Sequence, residues 1–461
     1  MHVNAQVILA STIFIAVYGL IISDKIHRTV VALLGAGLVI LTHILSTEEA
    51  IQAIDFNTIG LLIGMMVIVG ITKQTGVFEY LAIKAAKISK GHPLQLMVYL
   101  ALVTAVLSAI LDNVTTVLLI VPVSFAIAEK LQISPIPFLI VEILSSNIGG
   151  TATLIGDPPN IMIGSATDLG FMDFIVNLAP VIVLIYVVTL FLLKLIYRKQ
   201  LVTTPALQQS IMELKENDII KNYPLLHKSL LVLSLTIIGF ILHQWIHVES
   251  SAIALCGATL LLLLSKENPE HAFYAVEWPV IFFFGGLFVL VGALEHVGVI
   301  SYIAQESLVL THGNIVYTSM LIVWIAAIAS AFVDNIPLVA TMIPLIQEMG
   351  RLGGIENLNL LWWALSLGAC LGGNGTIVGA SANVVVIGMA EKRGFKITFL
   401  SFFKIAFPLM ILSIIISSGY LLLWYHFHKV VVLLGVLIFA VLLGILLNKI
   451  SNAMTSKTQK I

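Results

Sequence analysis

The sequence predicts an all-α polytopic membrane protein made of two inverted repeats, each with a re-entrant helical hairpin and a discontinuous transmembrane helix. Three observations lead there. The 461 residues are 59% apolar and only 10% charged, with a mean hydropathy of +1.08, whereas soluble domains carry about 25% charged residues. A constant shift superimposes the second half on the first. Four apolar stretches are interrupted by residues that suit no plain helix.

A helix needs about 20 apolar residues to cross a bilayer. Runs of that kind lie at 3–22, 29–45 and 57–74, followed by a broken pair at 136–165 and a run at 173–195. The second set lies at 229–247, 250–265 and 275–294, with a broken pair at 359–390 and runs at 404–424 and 430–448. That gives about 11 crossings. The first run has no basic segment before it and no small-residue cleavage site after it, so it reads as a span rather than a signal peptide. Two further stretches, 94–130 and 315–350, are split by Asp112-Asn113 and Asp334-Asn335 and read as hairpins that enter and return on one side. The organisation expected is a first repeat over 1–196, a cytoplasmic linker over 197–228, a second repeat over 229–428, and a C-terminal helix and tail over 429–461.

The repeat rests on a shift of 222 residues, the distance from Asp112 to Asp334. It pairs Gly64 with Gly286, Gly76 with Gly298, Ser108 with Ser330, Asn113 with Asn335 and Pro122 with Pro344. After one inserted residue, Gly149-Gly150 pairs with Gly372-Gly373, Gly156 with Gly379, and Asn160 with Asn383. Five crossings per repeat is an odd number, so the second repeat must be inverted. With the N-terminus outside and the C-terminus cytoplasmic, all but Arg351 and Lys429 of the 23 Lys and Arg residues fall inside, as the positive-inside rule requires. The plasma (inner) membrane is the expected location.

The breaks carry the functional expectation. Irregular backbone at membrane depth is tolerated only where it is buried in protein or lines a polar cavity. Pro158 and Pro159 remove two N–H donors, and Gly149, Gly150, Gly156, Gly372, Gly373, Gly375 and Gly379 allow close approach. Paired breaks in inverted halves point to a transporter binding site. The expected substrate and ion ligands are Asp112, Asn113, Thr115, Thr116, Asp157, Asn160, Asp334, Asn335, Thr376, Ser381 and Asn383. Asp112, Glu142, Asp157 and Asp334 are the acids at membrane depth, each a proton-coupling candidate; no Lys or Arg is expected among them. Capping alone is the competing reading for Asp112 and Asp334, and a bond to a neighbouring helix for Glu142.

Other residues read as structural. Cys256 and Cys370 show no metal or disulfide spacing and are expected to be small packing residues. His243, His247, His296, His312, His426 and His428 fall at helix ends or in loops. Trp362 and Trp363 begin a span and are expected as interface anchors. Lys73–Lys90 reads as an amphipathic surface helix. The run Gly372–Gly379 lacks the Gly-Lys-Ser/Thr ending of a phosphate loop, so no ATP-driven pump is expected. Nor is an enzyme, since no nucleophile–base pair or metal cluster is legible. A net charge of −1 suggests no nucleic-acid partner.

The segments "LDNVTTVLLIVP", "NIGGTATLIGDPPNIMIGSA", "VDNIPLVATMIP" and "GACLGGNGTIVGASANVVVIGMAEKRG" resemble the P-protein branch of the ion transporter superfamily. That superfamily also holds arsenite permeases, D-type sodium/proton antiporters and divalent-anion/sodium symporters. The resemblance covers nearly the whole chain. It implies a scaffold part, a mobile transport part with two re-entrant hairpins, a homodimer and elevator-like movement. The sodium/carboxylate symporters carry Ser-Asn-Thr at the hairpin tips, where this chain has Asp112 and Asp334. The D-type antiporters share the Asp-Asn tips but typically lack the Pro158-Pro159-Asn160 that follows here. The expectation is an ion-coupled secondary transporter using H⁺ or Na⁺, with no other cofactor. Efflux of arsenite or antimonite is the first substrate reading. The alternatives are Na⁺/H⁺ antiport, Na⁺-coupled uptake of an organic anion such as a dicarboxylate or citrate, and an anion channel.

Overall fold

The shift of 222 residues is visible helix by helix in the computed structural model, which describes residues 5–23, 25–214, 216–427 and 429–458. His428, Lys215 and Lys460, which figure in the sequence reading, lie outside the described residues. The first repeat comprises α1 (Ala5–Ser23), α2 (Arg28–Leu41), α3 (Thr47–Gln52), α4 (Phe56–Lys73), α5 (Val77–Ile88), α6 (Pro93–Ser108), α7 (Asn113–Lys130), α8 (Ile136–Gly150), α9 (Pro158–Ser165) and α10 (Phe171–Tyr197). The connecting segment holds α11 (Pro205–Met212) and a 3-10 turn at Glu216–Asp218. The second repeat follows in the same order: α12 (Tyr223–Ile246), α13 (Ser250–Ser265), α14 (Pro269–Phe273), α15 (Trp278–His296), α16 (Val299–Leu310), α17 (Ile315–Phe332), α18 (Asn335–Gly353), α19 (Asn359–Gly372), α20 (Ser381–Lys392) and α21 (Phe399–His426). The last helix is α22 (Lys429–Thr458), packed on α10.

Among the described residues, nine helices are long and apolar enough to cross a membrane: α1, α4, α7, α10, α12, α15, α17, α21 and the Lys429–Leu447 part of α22. α7 and α17 are arms of the hairpins α6–α7 and α17–α18. The remaining crossings are the shorter α2 and α13 and the two broken helices, α8–α9 and α19–α20.

The repeats interlock. α2 packs on α15, and α13 packs on α4. A Cβ at Gly64 would sit 2.6 Å from the Ala254 carbonyl carbon, and one at Gly286 would sit 2.8 Å from that of Ala32. The two contacts are related by the repeat. Small-residue contacts of this kind let helix backbones approach where lipid supplies no hydrophobic driving force. The same holds inside each repeat, where α6 packs on α8 and α17 on α19. There Gly149 meets the backbone of Ala105, and Gly372 that of Ala327.

Several surface expectations need correction or refinement. Trp362 and Trp363 are not interface anchors: both are buried, and Trp363 meets Phe174 edge-on at a centroid distance of 5.3 Å. α19 is enclosed by α17, α18, α21, α8 and α9, so its first turn faces protein rather than headgroups. Cys256 is exposed, whereas Cys370 is buried. The amphipathic stretch is α5. The connecting segment is docked rather than extended: Ile211 of α11 is fully buried, and Lys87 of α5 bonds the Leu214 carbonyl and the Glu216 carboxylate.

Candidate functional site

Each hairpin turns on an aspartate. Asp112 has extended backbone before α7 and accepts the Thr115 N–H at 2.8 Å; Asp334 does the same before α18, accepting the Ile336 N–H at 3.2 Å. Both are therefore helix caps. The caps fix the residue that follows, and Asn113 and Asn335 are turned inward, 4% and 3% exposed.

The breaks are stapled by amides. Asn160 donates to the carbonyls of Thr151 (3.1 Å) and Thr153 (2.8 Å), spanning the gap between α8 and α9. Asn383 donates to those of Gly373 (2.8 Å) and Thr376 (2.9 Å), spanning the gap between α19 and α20. Thr153 and Thr376 tie the breaks to the hairpins by donating to the carbonyls of Ala109 and Ala331. Each staple satisfies backbone acceptors that a broken helix leaves free. Asn160, Asn383 and Thr376 are thus committed to holding the breaks.

Asp157 departs from the repeat. It opens α9 with φ −145° and ψ 133°, and its counterpart Ala380 opens α20 with φ −148° and ψ 146°. The backbones match, but only Asp157 carries a carboxylate. That side chain makes no capping bond. It is fully buried and accepts the Asn113 amide at 3.3 Å and the Asn335 amide at 3.2 Å. One acid therefore receives a neutral donor from the tip of each hairpin. Asn113 also donates to Asn147 at 3.1 Å, and Asn147 donates to Asn374 and Asn383, both at 3.0 Å. The chain of amides links both hairpins and both breaks.

A cation does join these acids, contrary to the expectation from sequence. Arg28, at the start of α2, donates Nη1 to Asp334 Oδ2 and to Ser381 Oγ, both at 2.6 Å. Ser381 Oγ is also 2.6 Å from Asp334 Oδ2. The Arg28 guanidinium rests 5.1 Å from the centre of the Phe283 ring. A sequence walk leaves Arg28 in a loop, but the second hairpin reaches down to it.

Thr115 is only half-buried, and its backbone serves the cap. Thr116 is buried with a hydroxyl that has no partner. Glu142 lies outside the amide chain, bonded by Ser124 of α7. Sequence reasoning missed Arg28, Asn147, Asn374, Ser366 and Cys370. Ser366 donates to Asn160 Oδ1 at 2.6 Å, and Cys370 Sγ lies 3.7 Å from the same oxygen. Asn147 had a usable signal, a lone amide inside an otherwise apolar span. Ser366 and Cys370 had none, because small residues of this kind are common in membrane helices.

Two cavities flank the site. One of about 660 Å³ is lined by Leu154, Ile161, Asp168, His243, Glu249 and Ser250 among others. The other, about 210 Å³, is lined by His27, Arg28, Asp334, Ser381 and Val384 among others. The repeat relates them, Ser250 standing in the first where Arg28 stands in the second. Asp157 lines neither.

The comparisons with known proteins agree with this architecture. A profile of the CitMHS family, described as citrate transporters, matches residues 18–368. An uncharacterised transporter of Mycobacterium tuberculosis is 43% identical over 423 residues, covering 91% of this chain and 98% of its own. The P protein of Homo sapiens is 35% identical over 506 residues, covering 91% of this chain and 60% of its own. The crystal structure of the Alcanivorax borkumensis YdaH transporter, described as having an unusual topology, superimposes with a TM-score of 0.57 at 15% identity, over 92% of this chain and 98% of that one. The chain is a membrane transporter that belongs to the CitMHS family, within the ion transporter superfamily and consistent with its P-protein-like branch.

Proposed function

We propose that the protein is a secondary active transporter in which Asp157 carries the coupling cation, H⁺ in the first instance and Na⁺ in the second. The observation that carries this reading is the Asp157 carboxylate, fully buried and bonded by one neutral amide from each hairpin tip. A buried carboxylate with only neutral partners is costly to keep charged. Binding a cation removes that cost. Because both hairpins hold the same carboxylate, loading it changes the restraint on both at once.

For the cargo, arsenite or antimonite efflux remains the first reading. Neutral arsenous acid is not repelled by Asp112, Asp157 and Asp334, and its hydroxyls suit amide and hydroxyl partners. One observation favours a second reading, a citrate-type organic anion. Arg28 brings a positive charge to the smaller cavity, and the family is described as citrate transporters. Na⁺/H⁺ antiport would need Asp157 alone. The charge distribution supports an N-terminus outside and a C-terminus in the cytoplasm, in the plasma (inner) membrane. A homodimer follows from the superfamily resemblance.

The experiment is flux in vesicles containing the purified chain and a pH dye. A proton gradient is imposed, and Na⁺, arsenite or citrate is added in turn. Proton movement on adding one of them identifies the exchanged or co-transported species. Uptake of citrate or arsenite that never moves protons, at any gradient, would overturn H⁺ coupling.

A further inference from the structure

The second hairpin tip carries a charge pattern that the repeat does not copy. Arg28 Nη1 serves both Asp334 Oδ2 and Ser381 Oγ. At the first hairpin the matching positions hold Ser250 for Arg28, Asp112 for Asp334 and Pro158 for Ser381. Asp157 is the opposite departure, an acid whose counterpart is Ala380. The halves thus differ by one added negative group at the first break and one added positive group at the second hairpin.

The Arg28 guanidinium is only half used. Both of its hydrogen bonds pass through Nη1. Nη2 and Nε carry the other N–H donors of the fork. They have no partner among the described residues, and neither is buried. The Phe283 ring, 5.1 Å away, holds the cation over its face and takes none of those donors. Arg28 lines the smaller cavity, of about 210 Å³, together with His27, Asp334 and Ser381. Apolar side chains complete the walls, Ile21, Val333 and Val384 among them. That volume lies below the range of about 300–1,000 Å³ of pockets for drug-sized ligands, so the occupant is small.

A guanidinium takes a carboxylate best through two parallel N–H bonds. Asp334 uses a single Nη1 bond, which leaves the Nε–Nη2 edge for another carboxylate. An anion there shares the positive charge with Asp334 and repels it. Loading therefore loosens the hold of Asp334 on Arg28, the bond that ties α2 to the second hairpin. The next residue, Asn335, donates to Asp157 at 3.2 Å. One hairpin tip touches both the arginine and the coupling carboxylate.

We propose that Arg28 is the anion-recognition residue of the transporter. A small carboxylate anion enters the cavity, pairs with Arg28 Nε and Nη2, and competes with Asp334 for the guanidinium charge. No covalent bond changes. The inference deepens the organic-anion reading of the cargo and rests on it. It also gives the Asp334 carboxylate a role besides capping α18, since it compensates Arg28 when no anion is bound.

The test measures binding of radiolabelled citrate to the purified full-length chain by equilibrium dialysis, at fixed salt and pH. Thermal unfolding of each variant is recorded beside it. Arg28→Gln should weaken binding by about tenfold to a hundredfold, the span of a charged hydrogen bond. Arg28→Lys keeps the charge but loses the flat fork, and should weaken binding less. Asp334→Asn should tighten it by about tenfold, because the competing charge is gone while an oxygen remains to cap α18. Opposite signs at the two members of one ion pair separate recognition from folding, since a structural role alone makes both variants worse. If Arg28→Gln does not fold, Arg28→Lys and Asp334→Asn decide the matter. Citrate that binds wild type and the Arg28 variants alike, or binds Asp334→Asn more weakly than wild type, overturns the proposal and leaves the organic-anion reading standing. Wild type that binds no citrate overturns both, whether or not it binds arsenite.

Discussion

Arg28 donates to the carboxylate of Asp334 at 2.6 Å, tying the start of α2 to the tip of the second hairpin. The two residues are 306 positions apart in sequence and belong to different repeats. Tyr18 of α1 reinforces the link, its hydroxyl 2.7 Å from the Pro337 carbonyl and 2.9 Å from Thr341 Oγ1. At the first hairpin the repeat places Phe240 and Ser250 where Tyr18 and Arg28 stand, so no equivalent ion pair is encoded there.

The pair is neither on the surface nor sealed: its side chains are 26% and 11% exposed. Its loss should therefore cost about 1–3 kcal/mol, between the values for exposed and buried pairs. In a thermal-unfolding double-mutant cycle, Arg28→Gln and Asp334→Asn should each destabilise, and the double variant should lose less than their sum. Strict additivity would mean the two side chains do not interact in solution.

Asp112→Asn should leave stability within about 0.5 kcal/mol, because the amide oxygen still caps the Thr115 N–H and Asn is as good a cap as Asp. Coupled transport should nevertheless be lost if the Asp112 charge belongs to the cation site. Normal transport by this variant would reduce Asp112 to a cap.

The tight packing of breaks on hairpins makes Gly149→Ala and Gly372→Ala costly. The new methyl would lie 2.6 Å from Ala105 Cα in the first and 2.7 Å from Ala327 Cα in the second. Backbone must shift in both, so each should destabilise by about 1–3 kcal/mol or more. Gly37→Ala, with nothing within 4 Å, should be neutral or stabilising in the same melting experiment.

Lys87 holds the Glu216 carboxyl below the usual carboxylate range by its hydrogen bond. A depressed acid contributes stability above its unfolded value, 4.5 here, and loses it as pH falls through the lowered value. Glu216→Gln should therefore lower the melting temperature slightly at neutral pH and not at all at strongly acid pH. The difference should shrink with salt, since the pair is screened.

Much of this was legible in the sequence because the repeat preserves both spacing and chemistry. Asp112 and Asp334, Asn113 and Asn335, and Asn160 and Asn383 take matched positions, so a single shift locates both hairpins and both breaks. Legibility ended where partners come from distant segments. Arg28 looks like an ordinary loop cation, because charge counting gives sidedness but not reach. Asn160 and Asn383 look like substrate ligands, because the sequence does not show that their amides face their own broken backbone. Trp362 and Trp363 look like interface residues, because position at a span's start says nothing of the helices that enclose it.

The measurement that bears most directly on the central claim compares wild type with Asp157→Asn in vesicles carrying a pH dye. The variant keeps an oxygen to accept the Asn113 and Asn335 amides, so folding should survive. Proton movement driven by the species identified in wild-type vesicles should vanish in the variant, while its thermal unfolding stays near wild type. A folded Asp157→Asn protein that still moves protons at the wild-type rate would contradict the account.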